Sequence, residues 1–203
     1  MIVSKAYDCV KEYLPIKLNS NIMRMGSIMP DIAPHRRIKL HNQSTALNQC
    51  QIFINHLRAK RHMYSFAYAA GVMSHYVSDC FCYAHNYYVL DLSRHRNYEV
   101  IMQKNIGEFL AIQMDINDIF TEWSVLQNIG TEFYLKRQVA LYETNMTHLD
   151  NMEDRILRDI KLSIIYSAVL MLEIASILSP ELLESEDNET KYNTYLKKNP
   201  VAV

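Results

Sequence analysis

The sequence has few of the residues that interrupt regular secondary structure, with four glycines and five prolines among 203 residues. Hydrophobic residues make up 49% of the chain, and no segment shows the alternating pattern typical of a strand. Few turn residues and many apolar ones favour long helices over a turn-rich β fold. A chain of this length has room for one domain with a substantial core.

The sequence also lacks a strong net charge, a disulfide framework and a signal peptide. The formal charge is −1, so no basic field attracts nucleic acid, and we expect no specific nucleic-acid partner. The four cysteines include no CxxC pair, which indicates thiols in a reducing compartment. The chain as it stands begins without a basic, then apolar, leader. These features predict a cytoplasmic protein, and nothing in them indicates an oligomeric state.

Helical periodicity recurs along the chain and predicts an all-α bundle of six or seven helices. We expect residues 1–180 to form one domain, and the charged residues 181–203 to form a flexible tail. The most apolar segment, 164–178, contains Glu173 and is short for a membrane span, so we interpret it as part of a buried core helix. The predicted helices cover residues 2–14, 44–61, 62–86, 93–112, 115–143 and 150–178.

The segment from residue 23 to residue 42 contains a glycine and two prolines, and we predict a loop there. It carries Asp31, His35 and His41. Loops on a rigid scaffold often carry functional residues. The segment is therefore a candidate source of site residues.

Two pairs of potential metal ligands lie further along the chain, His75/Asp79 and His95/Glu99, with His85 between them. Residues four apart on a helix lie on the same face, so each pair can bind a single cation. Imidazole and carboxylate ligands suit zinc better than calcium or magnesium. One such pair is usually a surface salt bridge. Here the first pair interrupts a strongly apolar helix, where a buried charge needs a partner or a metal.

These motifs resemble the zinc-dependent phospholipase C family, whose fold is shared with the P1/S1-type nucleases. The resemblance spans residues 20–100 and rests on GSIMPD (26–31), His41, HYVSD (75–79), His85 and HRNYE (95–99), in that order. It implies a first zinc ion held by Asp31, His41, His75 and Asp79, with Asp79 bridging to a neighbouring zinc. It implies another zinc ion held by His85, His95 and Glu99.

The resemblance implies a metal-dependent phosphodiester hydrolase that splits a phospholipid into diacylglycerol and a phosphorylated head group. Asp31 would act as general base as well as ligand, and a lipid substrate would bring the protein into peripheral contact with a membrane. In the family, a third zinc is bound by the N-terminal residue and an early histidine. No histidine precedes His35 here. Either two zinc ions bind, or the true start lies upstream of Met1 and supplies a histidine for the third, in which case the protein could be secreted.

Two other functions fit the same residues. A single-strand nuclease that also removes 3′-phosphates shares the fold, although the near-neutral charge argues against it. The domain could also be a non-catalytic module, because zinc in a buried site contributes folding free energy whether or not a reaction occurs.

Overall fold

The computed structural model describes residues 1–32, 42–59, 65–86, 91–111, 113–146 and 151–178. Within these ranges the chain forms eight α-helices and two short 3-10 turns, and no strand. The all-α bundle is therefore confirmed. The predicted tail, residues 181–203, lies outside the described ranges. The helices are α1 (Ile2–Val10), α2 (Ser20–Ile32), α3 (Gln43–Ala59), α4 (Phe66–Cys80), α5 (Leu92–Leu110), α6 (Ile116–Ile129), α7 (Thr131–Met146) and α8 (Met152–Leu178).

The longest helix, α8, forms the centre of the bundle and packs against α1, α3, α4, α5 and α6. Among the described residues it is the one helix long and apolar enough to cross a membrane, with a mean hydropathy of 1.8 over its most apolar window. Within that window, 78% is buried inside the protein. This burial agrees with the interpretation of the segment as a core helix.

Helix α1 shows how closely the apolar spacing determines burial. Val3, Ala6, Val10 and Leu14 recur at helical spacing and are all buried. A 3-10 turn at Lys11–Tyr13 ends the helix, and the buried face packs on α8.

Helix α2 corrects the prediction of a loop, because residues 20–32 are helical. Gly26 lies against Gly71 of α4, where an added Cβ would come 2.5 Å from the Tyr68 carbonyl oxygen. A Cβ on Gly71 would clash with the carbonyl of Met23. The two glycines thus let α2 and α4 pack with their backbones close together. That contact outweighs the weak helix propensity of Gly26 and the hydrogen bond lost at Pro30.

Glycine has the opposite effect at residue 130, where the helix predicted over 115–143 divides into α6 and α7. Gly130 has φ +80°, a conformation that other residues rarely adopt. Its N–H donates to the Leu126 carbonyl and closes α6. This break and helix α2 explain why the described part of the chain has eight helices where six or seven were predicted.

The predicted helix over 62–86 also ends early. Helix α4 stops at Cys80, and residues Tyr83–His85 form a separate 3-10 turn. The turn carries His85 away from the axis of α4, towards α5.

Candidate metal centre

The first half of the site lies where α2 meets the last turns of α4. His75 Nε2 is 3.3 Å from Asp79 Oδ2 and 3.6 Å from Asp31 Oδ1. The side chains of His75 and Asp79 are only 12% and 11% exposed, whereas that of Asp31 is 59% exposed. The close glycine contact between α2 and α4 therefore brings a solvent-facing carboxylate next to a buried histidine–aspartate pair.

The second half lies between the 3-10 turn and the first turns of α5. Glu99 Oε1 is 3.1 Å from His95 Nε2 and 3.6 Å from His85 Nε2. Among the described residues, these three form the group of ligands that could hold one metal ion, with ligand atoms within 4.8 Å of one another. Two imidazoles and a carboxylate are three of the four ligands that a catalytic zinc site uses, with the fourth position left for water.

Asp79 connects the two halves. One of its oxygens, Oδ2, faces His75, and the other, Oδ1, lies 3.7 Å from His85 Nε2. The two oxygens of one carboxylate therefore face histidines on different elements. Asp79 is 8% exposed as a residue and lies between the two candidate ligand groups.

The orientation of His95 fits a metal ligand. Its Nδ1 lies 2.8 Å from the carbonyl oxygen of Ala84. A carbonyl only accepts hydrogen bonds, so Nδ1 carries the proton and Nε2 of the neutral ring presents a lone pair to Glu99. Two groups that both accept, 3.1 Å apart, require a proton or a cation between them. Histidines that bind metals are commonly held by such a carbonyl contact.

The charges of the cluster favour a cation. Burial is the largest influence on His75 and acts to lower its pKa, but the hydrogen bond and charge of Asp79, with the charge of Asp31, outweigh burial and raise the pKa. The hydrogen bond from His85 and the charge of His95 lower the pKa of Glu99. Since His75 is drawn towards its charged form and Glu99 keeps its negative charge, the site is suited to a cation.

The structure brings together six of the seven residues predicted as ligands. His41, like His35, lies outside the described residues. Gln43, two positions after His41, donates from Nε2 to the Cys80 carbonyl at 2.9 Å, beside Asp79.

Sequence reasoning did not single out Asp159. This buried carboxylate on α8 contacts both the 3-10 turn and α5. In the sequence, Asp159 is marked only as an acidic residue at an inward position of a predicted apolar helix.

The fold and the cluster together define an all-α protein with a histidine–carboxylate centre suited to zinc. A family model described as zinc dependent phospholipase C matches residues 1–132, which include every predicted ligand. The chain belongs to the zinc-dependent phospholipase C family. No curated protein and no solved structure matches the chain significantly.

Proposed function

We propose that the protein is a zinc-dependent phosphodiester hydrolase that cleaves a phospholipid to diacylglycerol and a phosphorylated head group. The observation that carries the proposal is the convergence of His85, His95 and Glu99 within 4.8 Å in a member of this family. The neighbouring Asp31, His75 and Asp79 supply ligands for a second ion.

Each group of residues has a role in this proposal. His85, His95 and Glu99 hold one zinc ion, and His75, Asp79 and Asp31 hold another, together with His41 as the resemblance implies. When bound, such ions lower the pKa of a coordinated water and neutralise charge on the phosphate. His75 and Asp79 form the less exposed side of the site, with side chains 12% and 11% exposed.

Asp31 is the general base in this proposal. With more than half of its side chain exposed, it is the carboxylate of the first group that an incoming water or phosphodiester can reach. Asp31 Oδ1 lies 3.6 Å from His75 Nε2, next to the other proposed ligands. It can therefore take a proton at the edge of the site without leaving the cluster.

An apolar stripe beside Asp31 favours a lipid over a nucleotide substrate. Met25, Ile28 and Ile32 share one face of α2 and are 49%, 53% and 49% exposed. Ile28 lies three residues before Asp31, and Ile32 follows it directly. Exposed apolar side chains at a site suit contact with acyl chains at a membrane surface, and not a charged nucleic-acid backbone.

The test begins with zinc content, measured by elemental mass spectrometry on protein purified without chelators or a histidine tag. We expect two zinc ions per chain, or three if an upstream segment completes a third site. Short-chain phospholipid should then release its phosphorylated head group in a reaction that a chelator stops and added zinc restores. Turnover that is insensitive to chelation would contradict the proposal.

Substrate comparison separates the proposal from its alternatives. A single-stranded oligonucleotide and a 3′-nucleotide are assayed beside the phospholipid, with the same zinc-loaded protein. Hydrolysis of the nucleotides alone would replace the lipid substrate with a nucleic-acid one. Full zinc content without turnover of any substrate would indicate a zinc-stabilised module with no catalytic role.

A matched pair of variants assigns the activity to the site. Glu99→Gln should reduce turnover by at least the ~10–100-fold that is typical when groups supporting a metal ligand are lost. Glu132→Gln makes the same chemical change on α7, where Glu132 is exposed and pairs with Lys136 at 2.7 Å. This control should retain full activity.

A further inference from the structure

Asp159 is buried near the middle of the bundle and is held by three uncharged donors. It is 1% exposed. Its Oδ2 accepts from the backbone N–H of Tyr83 at 2.6 Å and from the Tyr98 hydroxyl at 2.7 Å. Its Oδ1 accepts from the Tyr142 hydroxyl at 2.7 Å. A carboxylate so deeply buried needs such partners to offset its lost hydration.

The two donors to Oδ2 lie on the two elements that supply the three converging ligands. Tyr83 begins the 3-10 turn that ends at His85. Tyr98 immediately precedes Glu99 on α5 and lies one helical turn after His95. One oxygen of Asp159 therefore joins the turn to α5 directly.

Other contacts reinforce the same junction. The rings of Tyr83 and Tyr98 pack with centroids 5.5 Å apart. The guanidinium of Arg155, also on α8, lies 4.8 Å from the centre of the Tyr83 ring. On the ligand side, His95 Nδ1 donates to the Ala84 carbonyl in the turn. The turn and α5 are thus connected on one side by Asp159 and on the other by a ligand itself.

We infer that Asp159 is a positioning residue of the metal centre, which fixes the turn against α5 so that His85, His95 and Glu99 converge on one ion. The inference rests on the zinc site of the proposed function and adds a residue from outside the matched family region, which ends at residue 132. Residues that hold metal ligands in place commonly affect metal affinity although they never touch the ion.

The structure supplies a matched pair of variants to test this role. Tyr98→Phe and Tyr142→Phe each remove one hydroxyl that donates to Asp159 at 2.7 Å. Both tyrosines are buried, 3% and 1% exposed. Tyr98 lies on α5, which carries ligands, whereas Tyr142 lies on α7, which carries none. If the network only stabilised the fold, the two variants would have the same zinc affinity.

The measurement is the Kd for zinc of the full chain at neutral pH, by competition with a chromophoric chelator. Tyr98→Phe should raise the Kd about 10–100-fold, while Tyr142→Phe should leave it within about twofold of the parent protein. With cobalt in place of zinc, the visible absorption bands should shift in Tyr98→Phe alone. Equal Kd values for the two variants would overturn the positioning role.

Substitutions at Asp159 give an independent test. Asp159→Asn keeps one carbonyl oxygen that can accept from both Tyr83 and Tyr98, so zinc affinity should be largely retained. Asp159→Leu removes every acceptor and should lose affinity at least as strongly as Tyr98→Phe. Loss of zinc affinity in the asparagine variant, with none in Tyr98→Phe, would contradict the inference.

The outcomes also separate this inference from the proposed function. A parent protein that binds zinc and hydrolyses phospholipid, with unchanged zinc affinity in Tyr98→Phe, would overturn the inference alone. A parent protein that binds no zinc would overturn both.

Discussion

Two buried carboxylates at different places in the bundle have very different neighbours. Glu173 on α8 is 5% exposed and Asp79 on α4 is 8% exposed. Glu173 accepts from Arg58 at 2.9 Å, from Thr131 at 3.0 Å and from Gln127 at 2.8 Å. The Arg58 guanidinium and the Gln127 amide nitrogen can only donate, and the Thr131 hydroxyl donates here. Arg58 also balances the negative charge of Glu173.

Asp79 instead faces two imidazoles, those of His75 and His85. An imidazole nitrogen can carry a proton or bind a metal, so the region keeps the capacity to take up a cation. Burial alone therefore does not distinguish a structural carboxylate from a site carboxylate. The chemistry of the neighbouring groups distinguishes them. Donors such as those around Glu173 leave no position for a metal ion, whereas the histidines around Asp79 can bind one.

The strongest test of this comparison is Asp79→Asn. Removing the charge that lies between both ligand groups should reduce bound zinc and lower phospholipid turnover by about a thousandfold or more, since a catalytic metal contributes several kcal/mol to transition-state stabilisation. Zinc content and turnover are measured on protein whose helical circular dichroism matches the parent. A variant with full zinc content and activity would mean that Asp79 is a structural residue like Glu173.

The converse change, Glu173→Ala, should affect stability and leave the metal centre intact. It removes the acceptor of Arg58, Thr131 and Gln127 and leaves a cavity, so we expect the free energy of unfolding to fall by about 3 kcal/mol. Urea denaturation gives this value, and zinc content should equal that of the parent. The exposed Glu132→Ala is the control, with an expected change within about 0.5 kcal/mol. Loss of zinc in Glu173→Ala would remove the distinction between the two regions.

Much of the fold was predictable because apolar spacing alone determines which face of a helix is buried, as Val3, Ala6 and Val10 show. Helix α2 was not predictable. Gly26 is tolerated in this helix because it packs against Gly71, which lies 45 positions away in the sequence. By local helix propensity alone, a glycine is expected to destabilise a helix. Only the packed pair shows that its missing side chain allows two helices to approach closely.

The candidate site divides in the same way. The pairs His75/Asp79 and His95/Glu99 follow from helical geometry within one segment, which the sequence contains in full. The approach of Asp31 to His75 and the contacts of Asp159 depend on how separate helices pack. Spacing along the chain carries no signal for either. The family resemblance implied that Asp31 joins His75, whereas the contacts of Asp159 required the three-dimensional structure.

Asp159 is an intermediate case in the comparison, because its donors are neutral where those of Glu173 include a cation. Burial raises the pKa of Asp159 to about 6, against the opposing effect of its hydrogen bonds. The unfolded chain has the ordinary Asp pKa of about 4. Between these values the folded protein binds the extra proton. The free energy of unfolding therefore falls as the pH rises from about 4 to about 6, by up to roughly 1 kcal/mol per pH unit.

Asp159→Asn should make this slope shallower in metal-free protein, measured by urea denaturation at several pH values from 4 to 7. The slope that remains comes from Glu122, whose pKa burial also raises. The raised pKa of His75 acts above the ordinary histidine pKa of 6.5, and the lowered pKa of Glu99 acts below the ordinary value of 4.5, where it makes the free energy of unfolding rise with pH. Neither group therefore produces this fall between pH 4.5 and pH 6. Asp154→Asn, at an exposed position of the same helix, is the control and should give a curve parallel to the parent. If the asparagine variant at 159 also gave a parallel curve, the Asp159 carboxyl would have the same pKa in the folded and unfolded chain, and its three donors would fully offset the effect of burial.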